Sequence, residues 1–278
     1  MNLALTRLDA EISRLGLTPF REVIVSAARS AIRLHPDSLH STRESCLGGV
    51  AALPVGMAWP SWQGKAQSLI AQIALKEVAH LDFDGLLPAS GRLLFFYDSE
   101  QRAWGFDPKD RGAWTVIHVE DGANVARQPV PAEAVYKRVP LSAAAELSLP
   151  PWESIWSEQT GISPDWLDPY VALLEVFNTE EDTIHKMLGH PDPIQGDMQT
   201  ECQLASNGLY CGDGTGHEDP RAETLRPGAT EWQLLLQVDS DDAAGMMWAD
   251  VGRLYYWIKA ADLRLRKFDE CWLVSQCS

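Results

Sequence analysis

Apolar residues recur along the chain with two periods. Leu8, Ile12 and Leu15 fall at i, i+4 and i+7 with charges between them, which predicts an amphipathic first helix stopped near Gly16 and Pro19. Residues 30–35 alternate and end at Pro36, a strand pattern. Apolar runs at 69–75 (around Gln72), 91–97 and 114–120 predict three more strands, the last followed by an Asp121-Gly122 turn. Residues 135–140 and 147–151 read as two further extended pieces. A helix is expected from Ser163-Pro164, with Ser as cap and Pro at the first position, through Leu167, Tyr170, Leu173, Leu174 and Phe177. Residues 185–216 read as loop-rich, 232–239, 253–258 and 271–276 as strands, and 261–267 as a short helix. Strands outnumber helices without regular alternation, so the pattern predicts α+β rather than a doubly wound α/β fold.

The two halves echo each other. Gln72 and Gln237 each interrupt an apolar strand, 165 residues apart. Gly91-Arg-Leu-Leu-Phe-Phe-Tyr is matched by Gly252-Arg-Leu-Tyr-Tyr-Trp-Ile, Trp114 by Trp272, and Leu47-Gly48 by Leu188-Gly189. The order is kept, which predicts an internal duplication inside one compact domain spanning residues 1–278. Its parts are an N-terminal helical segment (1–29), a first β-rich unit (30–140), a connecting helical segment (141–184) and a second β-rich unit (185–278). Two such units are expected to pack face to face, with a cleft at their pseudo-twofold seam, a common place for pockets.

Five stretches carry a family likeness: Leu-Pro-Val-Gly-Met-Ala-Trp-Pro (53–60), Leu-Ile-Ala-Gln-Ile-Ala-Leu (69–75), His-Lys-Met-Leu-Gly-His-Pro-Asp-Pro-Ile-Gln-Gly-Asp-Met (185–198), Cys-Gln-Leu-Ala-Ser-Asn-Gly (202–208), and Leu-Leu-Leu-Gln-Val-Asp-Ser-Asp (234–241) continued by Met-Met-Trp-Ala-Asp-Val-Gly-Arg-Leu-Tyr-Tyr-Trp-Ile (246–258). From about residue 30 to the C-terminus the chain resembles the bacterial YwqG-like family, a group of unknown function. The resemblance implies a soluble, cytoplasmic α+β protein with an internal repeat. It implies no activity and no catalytic residues. Some members look linked to toxin–immunity loci, which adds weight to a protein-binding role.

Charge changes the picture regionally. The 278 residues carry a net −16. This argues against a nucleic-acid binder or a ligand of anionic membranes. Residues 146–250 hold 21 acidic and 3 basic side chains, a net −18, whereas residues 1–139 hold 15 of each. An acidic second half suggests a basic partner, such as a toxin-like protein. The N-terminus lacks a secretory apolar run, and no stretch has the length of a membrane span, which predicts a cytoplasmic protein. Five scattered cysteines fit reduced thiols, with a Cys202–Cys211 bridge left open.

The densest polar constellation is His185, His190, Asp192, Gln195, Asp197, Gln203 and Asn207, interleaved with Gly and Pro. Such a loop either aims polar groups at a ligand or satisfies its own backbone through Asx-turns. Trp59 and Trp248 are candidate ligand walls or loop anchors. Gln72 and Gln237, if buried, must be hydrogen-bonded, to a ligand or as a structural clasp. Asp239 and Asp250 flank an acidic turn that fails as an EF-hand, because Ala243, Ala244 and Asp250 stand where a ligand, Gly and Glu are needed. His185 and His190 are spaced H-x4-H, but with Gly189 between them they are not a helical H-E-x-x-H pair, and Cys202 and Cys211 are spaced C-x8-C, so the zinc signal is weak. No G-x-S-x-G or phosphate loop is present. The expectation is therefore no catalytic residue, no metal and no cofactor. A non-catalytic, immunity-like interaction module with a surface on residues 185–219 and 239–250 leads. The alternative is a small-molecule enzyme or sensor with its pocket at the seam.

Overall fold

A computed structural model describes residues 2–37, 42–160, 162–177 and 183–278. Its strands are β1 (Arg29–Pro36), β2 (Cys46–Leu47), β3 (Ala52–Pro54), β4 (Ser61–Trp62), β5 (Lys65–Ala74), β6 (Arg92–Asp98), β7 (Trp114–Val119), β8 (Val125–Arg127), β9 (Val139–Ser148), β10 (His185–Met187), β11 (Trp232–Asp239), β12 (Arg253–Lys259) and β13 (Trp272–Gln276). The helices are α1 (Asn2–Arg14), α2 (Arg21–Ala27), α3 (Leu75–Val78), α4 (Ile155–Thr160), α5 (Leu167–Phe177), α6 (Gln199–Ser206), α7 (Thr215–Glu218), α8 (Pro220–Leu225) and α9 (Ala260–Arg264). The protein is α+β and dominated by one antiparallel sheet.

That sheet has eleven strands in the order β13-β12-β11-β10-β1-β9-β2-β5-β6-β7, with β4 folded back on β5. The central pair is β1–β9, in unbroken register from Arg29 opposite Ser148 to Pro36 opposite Leu141. On one side lie β10 to β13, on the other β2 and β5 to β7. Each flank carries a bulge: β11 slips against β12 between Leu234 and Leu236, and β5 slips against β6 between Leu69 and Ala71.

The sheet curls until its edges meet. The Trp114 indole on β7 donates to the Cys271 carbonyl at 2.8 Å, and its ring meets Trp272 on β13 edge-on at 4.9 Å. Trp272 Nε1 donates to the Gly105 carbonyl at 2.8 Å. Gly105 has φ +85°, and a Cβ there would lie 1.8 Å from the Leu273 carbonyl oxygen, so only glycine admits this approach. Inside the curl the flanks face each other, with Phe95 and Tyr256 rings 5.2 Å apart and Tyr256 donating to the Phe96 carbonyl. The two flanks pack against each other as parts of one continuous sheet. The space between the flanks is core, not cleft.

The boundary expected at 140/141 falls inside β9, so 135–140 and 147–151 are not separate strands. The short polar and small residues Ser142 to Ala145 weaken the apolar signal there, yet their backbones are held by β1. A second core lies outside the sheet, where Leu8, Ile12, Ile24, Tyr170 and Leu173 of α1, α2 and α5 pack on Leu147 and Leu149. The expected helix after Ser163-Pro164 begins as a 3-10 turn, Pro164–Trp166, capped by the Ser163 hydroxyl, before α5.

Candidate functional site

Residues 185–216 are less loop-like than the sequence suggests. The segment contains β10 and α6. Asp197 starts α6 by accepting the N–H groups of Gln199 at 3.3 Å and Thr200 at 3.1 Å. Gln203 is on that helix, its Oε1 accepting the Trp232 indole N–H at 2.9 Å, and Asn207 closes it by donating to the Gln203 carbonyl.

The predicted polar residues around β10 do converge, into a buried charge ladder. Lys186 Nζ lies 3.0 Å from Glu146 and 2.6 Å from Asp192, and Glu146 also pairs with Arg33 Nε at 2.6 Å. Arg253 pairs with Asp239 at 3.0 Å and donates to the Asp192 carbonyl. Asp239 accepts the Ile184 N–H, and its own N–H donates to His185 Nδ1 at 3.0 Å. A ring nitrogen that accepts cannot carry the proton, so His185 donates through Nε2 to Asp241, 3.2 Å away. Burial opposes the Asp241 carboxylate, but bonds from His185 and the Ala244 N–H outweigh it and hold its pKa below the usual range.

This ladder fastens the 188–198 loop over the second flank. Gln237 is fully buried, accepts the Asp192 N–H and donates to the Ile184 carbonyl. Tyr255 donates to the Asp192 carbonyl, and Gln276 accepts the N–H groups of Ile194 and Gln195. Asp192, Gln237 and Asp239 thus spend their polar atoms on the chain itself. Gln195 is left with its side chain in solvent.

The remaining predicted residues are dispersed. Trp59 is an anchor for its loop, meeting Phe96 edge-on at 5.1 Å and donating to the Gln67 carbonyl. Trp248 is 1% exposed and packed between Tyr97 and Tyr136, so its ring is core. Its neighbours Met247 and Ala249 are exposed, and this alternation at the turn hid its burial from the sequence. Gln72 is half-buried and donates to the Glu44 carbonyl at 2.8 Å. Asp250 is exposed. All five cysteines are free thiols, Cys202 and Cys211 included. Among the described residues, no three His, Cys, Asp or Glu side chains form a group able to hold a metal ion, and no helix is long and apolar enough to cross a membrane.

An open site does lie at the seam, built mostly from residues that the sequence did not mark. β10 is three residues long. Beyond it, among the described residues, the backbone ladder to β11 is continued only by the Leu188 N–H, at the Leu235 carbonyl. The chain then turns away at Gly189 (φ +67°), where a Cβ would lie 2.4 Å from Ser148 Oγ and 2.6 Å from Ala31 Cβ. The start of β1 and the start of β11 are left flanking a slot with no strand between them.

Two adjoining cavities of about 150 and 310 Å³ open there, sharing Arg29, Gly189, Gln233 and Leu234. Ser30 lines one and Trp257 the other, at 7% and 2% exposure. Ser30 Oγ, Gln233 Nε2 and Trp257 Nε1 are buried polar atoms without a hydrogen-bond partner. Arg29 stands at the mouth with no acceptor bonded to its guanidinium among the described residues. Desolvation by neighbouring atoms pushes its pKa down, against a pull from Asp84. His190 borders the slot as well, donating through Nε2 to the Ala27 carbonyl at 2.7 Å. Burial, helped by the Arg29 charge, lowers its pKa to about 3.

The first flank differs at the corresponding place. Gly48 donates to the Ile70 carbonyl as Leu188 does to Leu235, but Gly49 then donates to the Tyr136 carbonyl and the turn Ala132–Ala134 lies against β5. The chain covers that end itself. Only His190 and Asp197 among the predicted site residues border the seam slot. The signal that was available is local: Gln233 is polar in an apolar strand, and Arg29-Ser30 opens another.

No curated protein matches the chain. A family model matches residues 45–277, and the chain belongs to that family, described as Domain of unknown function (DUF1963).

Proposed function

We propose that the protein is a non-catalytic binding protein that holds a small polar ligand in the seam slot. The observation that supports this reading is the set of unpartnered polar atoms there, Ser30 Oγ, Gln233 Nε2 and Trp257 Nε1, beside an unpaired Arg29. Buried polar groups are ordinarily bonded, and each one left unmade costs about 1–3 kcal/mol. Their side chains stand in the walls of the adjoining cavities with the unpartnered atoms themselves covered, which fits a site that rearranges around its ligand. The test is a thermal-shift screen of polar metabolites followed by amide exchange. The expected result is a ligand that raises Tm and protects residues 28–31 and 232–235. Ligands that protect only other segments overturn the reading.

The sheet supports an internal duplication as the origin of this seam. The strand order mirrors about β1–β9, the bulges correspond, and Gln72 and Gln237 make corresponding bonds. In this reading one ancestral gap was closed in the first unit and kept open in the second. The motifs that resemble the YwqG-like family and the free thiols support placing the chain with that group, in a cytoplasm.

The exposed carboxylates of Glu218, Glu223, Asp242 and Asp250 favour a second reading, an immunity-like surface for a basic partner. An identified partner that forms a stoichiometric complex weakened by salt supports it. A complex indifferent to neutralising these four residues overturns it.

A further inference from the structure

We infer that the ligand of the seam slot is an extended peptide, which enters between β1 and β11 as a short strand and is held by its backbone. This rests on the slot being a ligand site, and names the class of ligand. The main chain of the two rims carries the inference. In an antiparallel pair, alternate residues point their N–H and C=O groups to opposite sides of the strand. The Asp37 N–H donates to the Pro140 carbonyl at 2.8 Å, and Ser148 Oγ donates to the Arg29 carbonyl. The odd-numbered residues of β1 therefore face β9, and Ser30, Ile32 and Leu34 face the other way. Ile32 and Leu34 meet Met187 and His185 of β10. Ser30 meets no strand, because the chain has left the sheet at Gly189.

The opposite rim follows by the same alternation. The Ser240 N–H donates to the Gly252 carbonyl, so Val238 and Leu236 face β12, while Gln237 and the Leu235 carbonyl face β10. The bulge between Leu234 and Leu236 shifts this phase by one residue. Gln233 then faces Ile258, and Trp232 and Leu234 face the slot. The Trp232 carbonyl is taken by Gln199 Nε2 at 2.6 Å. The N–H and carbonyl of Ser30 and of Leu234 have no partner among the described residues. Main-chain groups of buried residues such as these are nearly always bonded. Both residues line the larger cavity.

β10 separates these rims where Met187 lies between Ile32 and Leu236. The slot beside it is thus two strand spacings wide, about 9.5 Å. One extended chain fits that width, and two of its successive residues, one turned to each rim, bond all four groups. The inserted strand continues the direction of β10, antiparallel to both rims. Its length is set by Arg29–Ala31, the part of β1 that pairs with β9 but not with β10. In the first flank, Leu69 is turned out past the bulge of β5 in the same way. There the chain itself covers the place: the Lys137 N–H goes to the Ala244 carbonyl, and the turn Ala132–Ala134 lies against β5.

The full chain is titrated with acetyl-Ala-Val-Ala-amide, with the same peptide N-methylated at its valine and last alanine, and with acetyl-Ala-amide. Backbone amide shifts and exchange are followed. In the free protein the Ser30 and Leu234 amides should exchange faster than those of Ile32 and Leu236. The tripeptide should bind saturably, shift and protect Ser30 and Leu234, and leave Leu69 unchanged. N-methylation removes backbone donors and keeps the side chains, and should weaken binding about tenfold or more. Tighter binding of free-ended Ala-Val-Ala than of the capped peptide identifies a free peptide as the source; the reverse identifies a segment within a longer chain. Equal binding of the methylated and unmethylated peptides overturns the inference. So does acetyl-Ala-amide acting as strongly as the tripeptide, or a polar metabolite protecting these amides while the tripeptide does not; either result leaves the slot as a ligand site. Silence of these amides toward every probe overturns both.

Discussion

Gln72 and Gln237 make one hydrogen bond in two places. Each is paired across the sheet with a short strand, Gln72 with Cys46 and Gln237 with Lys186. Each amide Nε2 donates to the carbonyl two residues before that partner, Glu44 at 2.8 Å and Ile184 at 2.9 Å. The side chain replaces the ladder bond that β2 and β10 are too short to make. The difference is in depth: Gln237 is fully buried and also holds Asp192, whereas Gln72 is half-exposed.

Gln237→Leu should therefore cost more than Gln72→Leu. The first leaves the Asp192 N–H and the Ile184 carbonyl without partners, a loss of about 2–4 kcal/mol for two buried groups. The second exposes its carbonyl to water and should cost under about 1 kcal/mol. Urea unfolding of both variants measures the difference. Equal losses would contradict the burial argument.

Lys186→Met tests the charge ladder. Lys186 is 2% exposed and stands between Glu146 and Asp192. Removing it leaves two carboxylates facing each other with a poor supply of water, a loss of about 3–5 kcal/mol. Adding Asp192→Asn should recover part of this, because Asp192 is the carboxylate left without its cation, whereas Glu146 keeps Arg33. Arg221→Gln, which breaks an exposed pair with Asp219, should leave the urea midpoint unchanged.

The strands were legible because their signals are local. Periodicity and turn residues located β5, β6, β7, β11, β12 and β13, and the helix after Ser163-Pro164. The pairing was not legible, since β1 lies between β9 and β10, strands more than 100 residues away in the chain. The predicted site suffered from the same limit. Asp192, His185 and Asp239 are polar residues in a Gly/Pro-rich setting, and composition alone cannot tell a residue that binds a ligand from one that binds a loop. Ser30 and Gln233 carry only a weak local signal, polar residues at the starts of apolar strands. Their interest comes from the missing strand between them.

Glu201 should make stability fall with rising pH. Burial, reinforced by the Asp197 charge, raises its pKa to about 7, and Oε2 is buried without a partner. The unfolded chain ionises this carboxyl near its ordinary pKa of about 4.3, so the native state binds more protons between the two values. The neutral form is fully tolerated below that range. Above pH 7 the cost of ionising it is complete, on the order of 3 kcal/mol. Glu201→Gln should therefore gain stability over the wild type as pH rises from 4.5 to 8. His190 acts in the opposite direction: with its native pKa near 3, its contribution is complete above about pH 6.5 and is lost as pH falls. Urea midpoints of wild type and Glu201→Gln at pH 4.5 and 8 isolate the carboxyl. A constant difference between them would show that Glu201 is solvated in the native state.

Gly105→Ala tests how the sheet edges are joined. The Gly105 carbonyl receives the Trp272 indole N–H, and its backbone lies against Leu273 on β13. A methyl group placed 1.8 Å from the Leu273 carbonyl oxygen cannot be accommodated without moving backbone, and φ +85° is itself unfavourable for alanine. The strain should separate the segment around Gly105 from β13, exposing the Trp114–Trp272 contact. The expected cost is about 2–4 kcal/mol, in the range of overpacked core sites with added backbone strain. Amide exchange distinguishes this from uniform destabilisation. Ser275, whose N–H donates to the Trp104 carbonyl at 3.1 Å, should lose protection first. The β1–β9 amides at the centre of the sheet should keep theirs. Simultaneous loss at both places would mean that the edge contact and the seam open as one cooperative unit.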